Sequence, residues 1–573
     1  MDDKERLDAL RHSASHIMAE AVRKLFPGVK LAIGPPIEDG FYYDFLTDKP
    51  FTPEDLEKIE KEMKKSVKKR SRFERFELPY EDARSLLEKN AETFKLELLE
   101  DLRGKTISFY RHDDFVDLCA GPHVEHTGMV KAFKLLKVAG AYWRGDEKNV
   151  MLQRIYGAAF PDKDQLDDYL ARLREAEKRD HRRLGVELDL FSIHHQEAGP
   201  GLIYWHPRGA VVREIIEDFW KKLHRERGYQ LLYTPHLVKA DLWKTSGHYQ
   251  MQYPMYFTRI DEDEYGVKPM NCPGHILIYK TRTRSYRDLP IRYAEMGTVY
   301  RHEKSGVLHG MLRVRGFTQD DAHVFCARGQ LLDEMSAILD LTRFILSKFG
   351  FGYELRLSTR PEKSVGSDDN WDAATAALEK ALEKTGLPYD LDPGEGVFYG
   401  PKIDFKLRDA IGRLWQGPTV QVDFNLPERF GMEYVAGDGG RRTPVMIHRA
   451  IFGSFERFMG ILIEHYAGAF PLWVSPEQFV VLPISEKHLR YSREVCRRLL
   501  SEGFRGYADE RSDTIGAKIR SAQLMKIPYM VVIGDREAAA GTLSVRCRKE
   551  GDLGSMTHES FAGLARERLE RFD

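Results

Sequence analysis

A charged stretch at residues 301–323 carries more chemistry than any other part of the sequence. It reads RHEKSGVLHGMLRVRGFTQDDAH and combines three arginines with acidic, amide and imidazole side chains: Arg301, Arg313, Arg315, Glu303, Gln319, Asp320, Asp321 and His323. Arginine forks bind phosphate oxygens through paired hydrogen bonds, and nearby carboxylates can hold Mg²⁺ or a substrate ammonium group. Three glycines allow the chain to reverse between two short predicted strands. A solvated hairpin could be equally charged but would rarely carry Val314 and Phe317, so we predict a nucleotide-phosphate site.

The familiar phosphate-binding loops are missing from the sequence. It contains no GxxxxGK[ST] motif and no GxGxxG motif after a predicted strand. Side chains must then hold the phosphates, which adds Arg457 in HRAIFGSFERF to the arginines above. Gly453 and Ser454 would allow a ligand to approach a helix that presents Arg457. The alternative for FERF is a surface ion pair on an amphipathic helix, and taken alone the segment favours that alternative.

Cys272 stands before a predicted Pro-Gly turn in MNCPGH. With His323 and His448 it could form a three-ligand zinc centre that leaves positions open for a substrate. The spacing is long and matches no zinc finger or ribbon. From the residues alone, a buried structural cysteine and two unrelated histidines are the favoured alternative.

A second group of candidate ligands comes from HSASH, with His12 and His16 one helical turn apart, and from CAGPH, with Cys119 and His123. Four ligands of this kind suggest a zinc site. HSASH lacks the glutamate of a zinc-protease helix. A hydrolytic pocket in which histidines position water beside Asp117 is the other interpretation. The chemistry alone does not decide between the two.

Length and composition restrict the class of protein. A chain of 573 residues predicts about three or four domains. Its 42% hydrophobic and 31% charged residues are typical of soluble globular proteins, and its formal net charge of −1 argues against non-specific coating of nucleic acid. Five scattered cysteines predict no disulfide framework and a reducing compartment. The polar N-terminus and the interrupted apolar segment FMGILIEHYAGAF predict a cytoplasmic protein without membrane spans.

Periodicity predicts an α+β domain at residues 1–160, with an amphipathic helix at 5–26 and charged helices at 53–75 and near 80–100. A charged connecting helix is predicted at 161–188.

The next predicted domain covers 189–475. Its strands outnumber its crossovers, which favours an antiparallel sheet, and helices are predicted at 208–227 and 448–466. Residues 476–573 alternate between strand and helix, which predicts a small α/β domain.

Five segments together resemble the catalytic core of the threonyl-tRNA synthetases, a family of class II aminoacyl-tRNA synthetases: MNCPGH, residues 301–323, FYGPKIDF, VQVDFNLP and PVMIHRAIFGSFERF. The resemblance covers essentially the whole chain. It implies an α+β multidomain protein with an antiparallel class II catalytic core at 189–475, an editing domain at 1–160 and an anticodon-binding domain at 476–573. It also implies ATP-dependent activation of L-threonine, transfer to tRNA(Thr), hydrolysis of mischarged seryl-tRNA(Thr), Mg²⁺ with ATP, and a homodimer with Pro235 at its interface.

The resemblance assigns roles to individual positions. Arg301 matches the contact to the α-phosphate of ATP, Glu303 the contact near adenine, and Arg457 the contact to the γ-phosphate. Phe317 matches the ring that stacks on adenine, and Arg313 a further phosphate contact. His248 in SGHYQ matches a histidine near the terminal ribose of tRNA. The threonine and adenylate pocket would be lined by Gln319, Asp321, Tyr399, Lys402, Gln416, Thr419, Gln421 and Ser454.

The resemblance also implies that Cys272, His323 and His448 hold one Zn²⁺ per chain. A zinc ion that binds the threonine amine and hydroxyl rejects valine, which has no hydroxyl. Serine has the hydroxyl and lacks only one methyl group, worth roughly 1–3 kcal/mol, so a second, hydrolytic site is needed. The residues that match this editing pocket, described in the family as acting through water without a metal, are His12, His16, Asp117, Cys119 and His123.

In the last domain, Arg520, Glu537 and Arg546 match residues that read anticodon bases. Ordinary surface charge is the alternative for each of them. Many bacterial members of the family carry a small β-rich domain before the editing domain, so this sequence predicts a naturally shorter or a trimmed chain. A regulator that has lost catalysis and an editing hydrolase with a vestigial core are the rival functions, and the retained arginines and zinc ligands speak against the regulator.

Overall fold

The structure is a computed structural model that describes residues 2–250 and 253–572. It divides into two compact units, Met1–Arg174 and Glu175–Asp573. Among the helices within the described ranges, none has the length and apolar character needed to span a bilayer.

The first unit is built around the helix Asp3–Leu25, which packs against an antiparallel sheet. Asp2 caps the helix by accepting a hydrogen bond from the Glu5 N–H, and its apolar face, including Ile17, is buried. The helix predicted at 5–26 from the helical spacing of its apolar residues is therefore confirmed. The strands of the sheet are Lys30–Leu31, Pro36–Ile37, Gly40–Leu46, Ala132–Tyr142 and Met151–Phe160.

A second layer of this unit differs from the predicted helices. The helix Pro53–Lys69 ends at Arg70, whose φ of 57° is left-handed, so the prediction of a helix to residue 75 was wrong at its end. The following strand Glu74–Leu78 joins a three-stranded sheet with Ile107–His112 and Phe115–Leu118. The helix predicted near 80–100 is two helices, Tyr80–Lys89 and Thr93–Glu100, because the left-handed backbone of Ala91 interrupts it.

The predicted connecting segment at 161–188 also forms two helices. Lys163–Arg179 ends before Asp180, whose carboxylate caps His181–Glu187 by accepting a hydrogen bond from the Arg182 N–H. A side-chain cap of this kind starts a new helix with its own axis.

An eight-stranded sheet forms the core of the second unit, and its central strands are antiparallel, which confirms the predicted sheet type. Within this sheet, as far as the structure describes it, the parallel pairings are those at its two edges, of Gln230–Leu231 with Ile291–Tyr300 and of Tyr389–Asp392 with Gly352–Ser358. In spatial order the strands are Gln230–Leu231, Ile291–Tyr300, Gly316–Cys326, Val445–Ser454, Leu414–Asp423, Lys402–Arg408, Gly352–Ser358 and Tyr389–Asp392. The helices that share its apolar core are Pro207–Glu226, Leu331–Lys348, Asp368–Thr385 and Phe455–Tyr466.

Two local predictions in this unit were wrong. The helix predicted at 448–466 begins only at Phe455, because Val445–Ser454 is a central strand. A short apolar run is compatible with either a buried strand or a buried helix, so its periodicity does not decide. The predicted Pro-Gly turn after Cys272 is instead the start of the helix Cys272–Tyr279, with Pro273 in the first turn, where proline is well tolerated.

Smaller elements complete this part of the unit. The helices are Ala240–Ser246 and Asn425–Arg429. The strands form two three-stranded sheets, Leu237–Lys239, Asp263–Val267 and Tyr256–Ile260, and Arg284–Ser285, Tyr434–Val435 and Arg441–Arg442, with a pair Phe191–Ser192 and Tyr204–Trp205.

The C-terminal part of the second unit has the predicted α/β pattern. Two of its strand pairings are parallel and the next two antiparallel, in the order Gly506–Ala508, Phe479–Pro483, Tyr529–Ile533, Leu543–Cys547 and Gly551–Met556. Its helices are Leu489–Ser501, Ile515–Leu524, Asp535–Ala540 and His558–Arg571.

Candidate functional sites

A cavity of about 650 Å³ lies over the eight-stranded sheet, and we call it the central cavity. The pairing of three strands places Gln421 opposite His448 and His448 opposite His323, in one row across the sheet. The predicted site residues that line the cavity are His248, Cys272, Arg301, Glu303, Arg313, Phe317, Gln319, Asp321, His323, Tyr399, Gln416, Thr419, Gln421, His448, Ser454 and Arg457.

Three arginines enter the cavity from different elements. The Arg301 guanidinium carbon lies 4.9 Å from the centre of the Phe317 ring. Arg313 forms an ion pair with Glu303 at 3.1 Å. Arg457 donates from Nε to the carbonyl of Leu312 at 2.9 Å, and burial, followed by the charges of the other two arginines, lowers its pKa. Such a convergence of positive charge favours an anionic ligand, as a triphosphate would be.

Two charged residues of the 301–323 stretch have structural contacts instead. Arg315 donates from Nε to the carbonyl of Glu303 at 2.9 Å, and its backbone N–H bonds to Gly201. Asp320 is fully buried and accepts hydrogen bonds from three successive backbone N–H groups, at residues 451–453. These contacts fix the end of the strand Val445–Ser454, where Ser454 caps the helix that carries Arg457.

The opposite wall of the cavity is a network of amides and hydroxyls. Tyr399 donates to Gln421 at 2.5 Å. Thr419 and Gln416 both donate to Asp404, at 2.7 and 2.8 Å. The side-chain oxygen of Gln319 lies nearby, buried and without a hydrogen-bond partner, so it remains free for a ligand.

Lys402 is the one predicted residue of this group that does not line the central cavity. Its Nζ lies 2.7 Å from Asp404, so it reaches the cavity wall only through that carboxylate.

Cys272, His323 and His448 are buried together, and their ligand atoms all lie within 4.8 Å of one another. His448 Nε2 lies 3.0 Å from Asp423, which leaves Nδ1 for an ion. Burial, followed by the charge of Asp321, raises the pKa of the Cys272 thiol well above its usual value, so a thiolate here requires a compensating cation. One thiolate and two imidazoles form a donor set typical of zinc, and the three residues fit such an ion.

His248 follows the helix Ala240–Ser246 and lies at the edge of the central cavity. Its Nδ1 contacts the Ser246 hydroxyl at 2.7 Å, while its Nε2 is buried without a partner. Burial, followed by the nearby charges of His448 and Arg301, lowers its pKa to about 4. The imidazole is therefore neutral at pH 7 and able to accept a proton.

The second cluster lies in the first unit, beside a cavity of about 450 Å³ that we call the histidine pocket. His12, His16, Asp117 and Cys119 line it, and Cys119 Sγ lies 3.3 Å from both His12 Nε2 and His123 Nε2. His123 lies behind the lining, with its Nδ1 3.0 Å from the Ser13 hydroxyl. The pairing predicted from HSASH and CAGPH is therefore present.

Burial determines the charge of the histidine pocket. It lowers the pKa of His12 and His16 and, with the neighbouring His12, lowers that of His123 to about 2. Burial, followed by the charge of Asp117, raises the pKa of Cys119 to about 12. At pH 7 the three imidazoles and the thiol are uncharged, as groups that orient a water molecule would be.

The sequence analysis missed two residues that surround Asp117. The buried Lys95 Nζ lies 2.7 Å from one Asp117 oxygen, and the Tyr43 hydroxyl donates to the other at 2.7 Å. A buried carboxylate needs such partners. In the sequence, the position of Lys95 between apolar residues in TFKLELLE could have indicated a buried lysine that needs an acidic partner.

The three predicted anticodon residues occupy separate elements of the C-terminal part. Arg520 is exposed on the helix Ile515–Leu524, and Arg546 lies on the strand Leu543–Cys547. The Glu537 carboxylate accepts a hydrogen bond from the Gly534 N–H at 2.9 Å and so caps its own helix.

A third acidic and imidazole cluster contains Asp180, His181 and Glu464. His181 Nδ1 lies 2.7 Å from Glu464, and its Nε2 accepts a hydrogen bond from the Met311 N–H at 3.0 Å. Both ring nitrogens are occupied, so this histidine has no lone pair left for a metal. It instead ties the loop that carries Arg313 to the helix that carries Arg457.

Comparisons with known proteins identify three domains in the chain. Residues 253–466 match the tRNA synthetase class II core domain (G, H, P, S and T), residues 478–568 an anticodon binding domain, and residues 107–156 the threonyl and alanyl tRNA synthetase second additional domain.

Curated relatives match almost the whole chain. The threonine–tRNA ligase of Caldanaerobacter subterraneus subsp. tengcongensis is 55% identical over 562 residues, which are 98% of this chain and 87% of that protein. The threonine–tRNA ligase of Acidithiobacillus ferrooxidans is 57% identical over 560 residues, 97% of this chain and 87% of that protein.

Solved structures agree with these relatives. The RNA binding domain of threonyl-tRNA synthetase from Cryptosporidium parvum superposes with a TM-score of 0.66 at 43% identity, covering 68% of this chain and 98% of that one. The putative threonyl-tRNA synthetase of Aeropyrum pernix gives a TM-score of 0.60 at 29% identity, covering 69% and 96%.

Proposed function

The chain belongs to the threonine–tRNA ligase family, and from that premise we propose that it activates L-threonine with ATP, transfers it to tRNA(Thr) and hydrolyses mischarged seryl-tRNA(Thr). One observation carries the proposal. A Cys-His-His donor set and three arginines converge on the same central cavity. Activation of threonine needs groups that bind its amine and hydroxyl, and it needs groups that bind the triphosphate of ATP. The two sets must lie next to each other so that the carboxylate can reach the phosphate.

In the activation step, the threonine carboxylate attacks the α-phosphorus of ATP and pyrophosphate leaves. Arg301 and Arg313 would stabilise the charge that spreads over the phosphate oxygens, Arg457 would hold the γ-phosphate, and Mg²⁺ would enter with ATP. Glu303 orients Arg313 through their ion pair, and it lines the same cavity as Phe317, so we assign both residues to the adenine end of the ATP site.

Cys272, His323 and His448 would hold one Zn²⁺, which when bound supplies open coordination positions for an amine and a hydroxyl. Tyr399 and Gln421 form the polar wall beside that position. Valine has no hydroxyl for these coordination positions and is rejected on that ground. Serine satisfies them and differs by one methyl group, worth roughly 1–3 kcal/mol, so selection at this site alone is incomplete.

In the transfer step, a hydroxyl of the terminal ribose of tRNA attacks the adenylate carbonyl, the bond from this carbonyl to the phosphate oxygen breaks, and AMP leaves. His248 has an unpartnered, neutral Nε2 at the cavity, so we assign it the role of accepting the hydroxyl proton. Lys402 and Asp404 support the wall formed by Gln416 and Thr419.

We assign the hydrolysis of seryl-tRNA to the histidine pocket. Its neutral imidazoles can orient a water molecule and accept its proton, without a metal. Asp117 lies beside these imidazoles, and its carboxylate is held in position by Lys95 and Tyr43.

We propose the domain boundaries 1–160 for editing, 161–188 for the connection, 189–475 for catalysis and 476–573 for anticodon binding. Arg520, Glu537 and Arg546 would read anticodon bases, since their donors and acceptors suit the edges of unstacked bases.

A homodimer is proposed around Pro235. Two apolar side chains beside it are exposed in the single chain, with 81% of Tyr233 and 40% of Leu237 accessible. Exposed aromatic and aliphatic groups of this kind are typical of subunit interfaces. The five free cysteines favour the reducing cytoplasm as the compartment.

ATP–pyrophosphate exchange measured with threonine, serine and valine tests the proposal. We expect exchange with threonine, weaker exchange with serine by roughly 10–200-fold, and the least with valine. Deacylation of seryl-tRNA(Thr) is measured in parallel. If exchange stays at background with every amino acid, the result favours a regulator that has lost catalysis. If deacylation occurs without exchange, the result favours an editing hydrolase.

A further inference from the structure

Behind the zinc-ligand candidate His323 runs a buried chain of polar groups that the proposed mechanism does not use. His323 Nδ1 lies 2.8 Å from His275 Nδ1, and His275 Nε2 lies 3.2 Å from Glu295. Glu295 also accepts hydrogen bonds from the Thr234 N–H at 2.9 Å and from Lys268 Nζ at 3.2 Å. All five residues are buried. His275 is the last residue of MNCPGH, the segment in which the sequence analysis used only the cysteine.

The direction of each hydrogen bond in this row of polar groups follows from the charge state of Glu295 at its far end. Burial alone would raise the pKa of Glu295, but the hydrogen bonds from His275 and Thr234 and the charge of Lys268 outweigh burial and lower it to about 2. A carboxylate only accepts hydrogen bonds, so His275 must donate from Nε2. In a neutral imidazole the other nitrogen is then an acceptor. With His275 Nδ1 as the acceptor, His323 donates from Nδ1 across the 2.8 Å contact, which leaves the lone pair of His323 on Nε2.

That lone pair faces the position of the proposed ion. His323 Nε2 lies 3.6 Å from Asp321, a residue that lines the central cavity together with Cys272 and His448. With the opposite tautomer, Nε2 would carry a proton and could not bind a cation.

We propose that His275 is a positioning residue for metal binding, which selects the metal-binding tautomer of His323 and is itself oriented by Glu295. This inference rests on the proposed function, since it takes Cys272, His323 and His448 as the zinc ligands. His275 touches neither the ion nor the substrate, and it acts only through His323.

The two histidine ligands thus have different outer partners. His448 contacts the carboxylate of Asp423 directly at 3.0 Å. His323 Nδ1 instead contacts the imidazole of His275, and the carboxylate on the far side of His275, that of Glu295, lies 3.2 Å from Lys268 Nζ. The relay would fix the orientation of His323 through an imidazole rather than through a directly hydrogen-bonded carboxylate.

Two substitutions at residue 275 separate the relay from a purely structural role. In His275→Asn the amide oxygen can take the place of Nδ1 and accept the hydrogen bond from His323, while the contact with Glu295 is lost. In His275→Leu both contacts are lost. His112→Leu is the matched control, because His112 is a buried histidine that contacts a glutamate, Glu20, at 3.3 Å in the other unit.

The readout is zinc affinity of the full chain, measured by competition with a chelator and by zinc content per chain, with Co²⁺ absorption as a report on ligand geometry. We expect His275→Leu to weaken zinc binding by about 10–100-fold, as the loss of an outer-sphere partner does. His275→Asn should keep most of the affinity and the wild-type Co²⁺ spectrum, and His112→Leu should leave both unchanged.

Three results would overturn the inference: wild-type zinc affinity in folded His275→Leu, equal loss in the Asn and Leu variants, or loss in His112→Leu as large as in His275→Leu. If His275→Leu does not fold, the Asn variant decides, because a changed Co²⁺ spectrum there contradicts the assigned hydrogen bond. A failure of the proposed zinc site would give a different result, because the unmutated protein itself would then bind no zinc.

Discussion

The central cavity and the histidine pocket contain clusters of nearly the same residue types. Each has a cysteine and at least two histidines whose ligand atoms lie within 4.8 Å of one another. The residues around the clusters differ. In the central cavity, His448 and His323 each use one ring nitrogen on an outer partner, Asp423 or His275, and turn the other nitrogen inward. The ligand atoms there are free for an ion.

In the histidine pocket the same kinds of atoms are directed at each other. Cys119 Sγ is shared between His12 and His123, and the carboxylate of Asp117 already binds Lys95 and Tyr43. Ligand type and spacing therefore do not distinguish a metal centre from a water-activating pocket. The outer partners differ in kind: they are the Asp423 carboxylate and the His275 imidazole in the first cluster, and the Ser13 hydroxyl at His123 in the second. The contrast favours an ion in the first cluster and water in the second.

Exchanging each cysteine for alanine gives the largest expected effect. Cys272→Ala removes the only anionic ligand of the proposed zinc site, so we expect zinc to be lost and threonine-dependent exchange to fall by more than about 100-fold, the upper range for loss of an outer partner alone. Cys119→Ala should keep both zinc content and exchange. Metal analysis and exchange assays on the two purified variants measure this, and a lower zinc content in Cys119→Ala would break the comparison between the two clusters.

A smaller effect, confined to hydrolysis, is expected for His12→Ala. Removing one imidazole that contacts Cys119 and lines the pocket should slow deacylation of seryl-tRNA(Thr) by about 10²–10⁴-fold, the usual contribution of an acid–base group, while threonine charging is unchanged. His195→Ala, at an exposed histidine, is the matched control and should affect neither reaction. If charging falls together with deacylation, the two activities are not separated as proposed.

The sequence predicted those features that depend on local pattern or on long motifs. The excess of strands over crossovers indicated the antiparallel sheet, and the glycine-interrupted stretch at 301–323 indicated a hairpin whose arginines reach a cavity. The strands of that hairpin have ten and eleven residues rather than the short length predicted. Pairing register then brought His323 and His448 together although 125 residues separate them.

The remaining features depend on burial and on partners far along the chain, which no local pattern encodes. Lys95 and Asp117 form a buried pair only because a helix and a strand of the first unit meet. His275 becomes relevant only through Glu295, on a different element. The helix predicted at 448–466 was wrong at its start for a related reason, because the strand Val445–Ser454 is buried along most of its length and shows no alternation of buried and exposed residues.

The pH dependence of deacylation gives the smallest expected effect and sharpens the comparison further. The pKa values of His12, His16 and His123 are lowered by burial from the ordinary 6.5, so these imidazoles stay neutral as the pH falls below that value. The rate of seryl-tRNA(Thr) deacylation should therefore show no inflection near pH 6.5. An ordinary imidazole base would lose about tenfold in rate by pH 5.5, and a loss of that size would contradict the neutral pocket.

The same lowered pKa values predict a change in stability with a definite sign. Below pH 6.5 the unfolded chain binds protons that the folded pocket does not, so the free energy of unfolding decreases as the pH falls, by up to about 1.4 kcal/mol per pH unit for each such histidine. Above pH 6.5 these histidines contribute no pH dependence. Hydrogen exchange of the helix Asp3–Leu25 in the full chain, measured between pH 7.5 and 5.5, tests this, since amide protection should decline at the lower pH while the deacylation rate holds. A decline in the rate with unchanged protection would reverse the assignment and place a charged, solvated imidazole in the pocket.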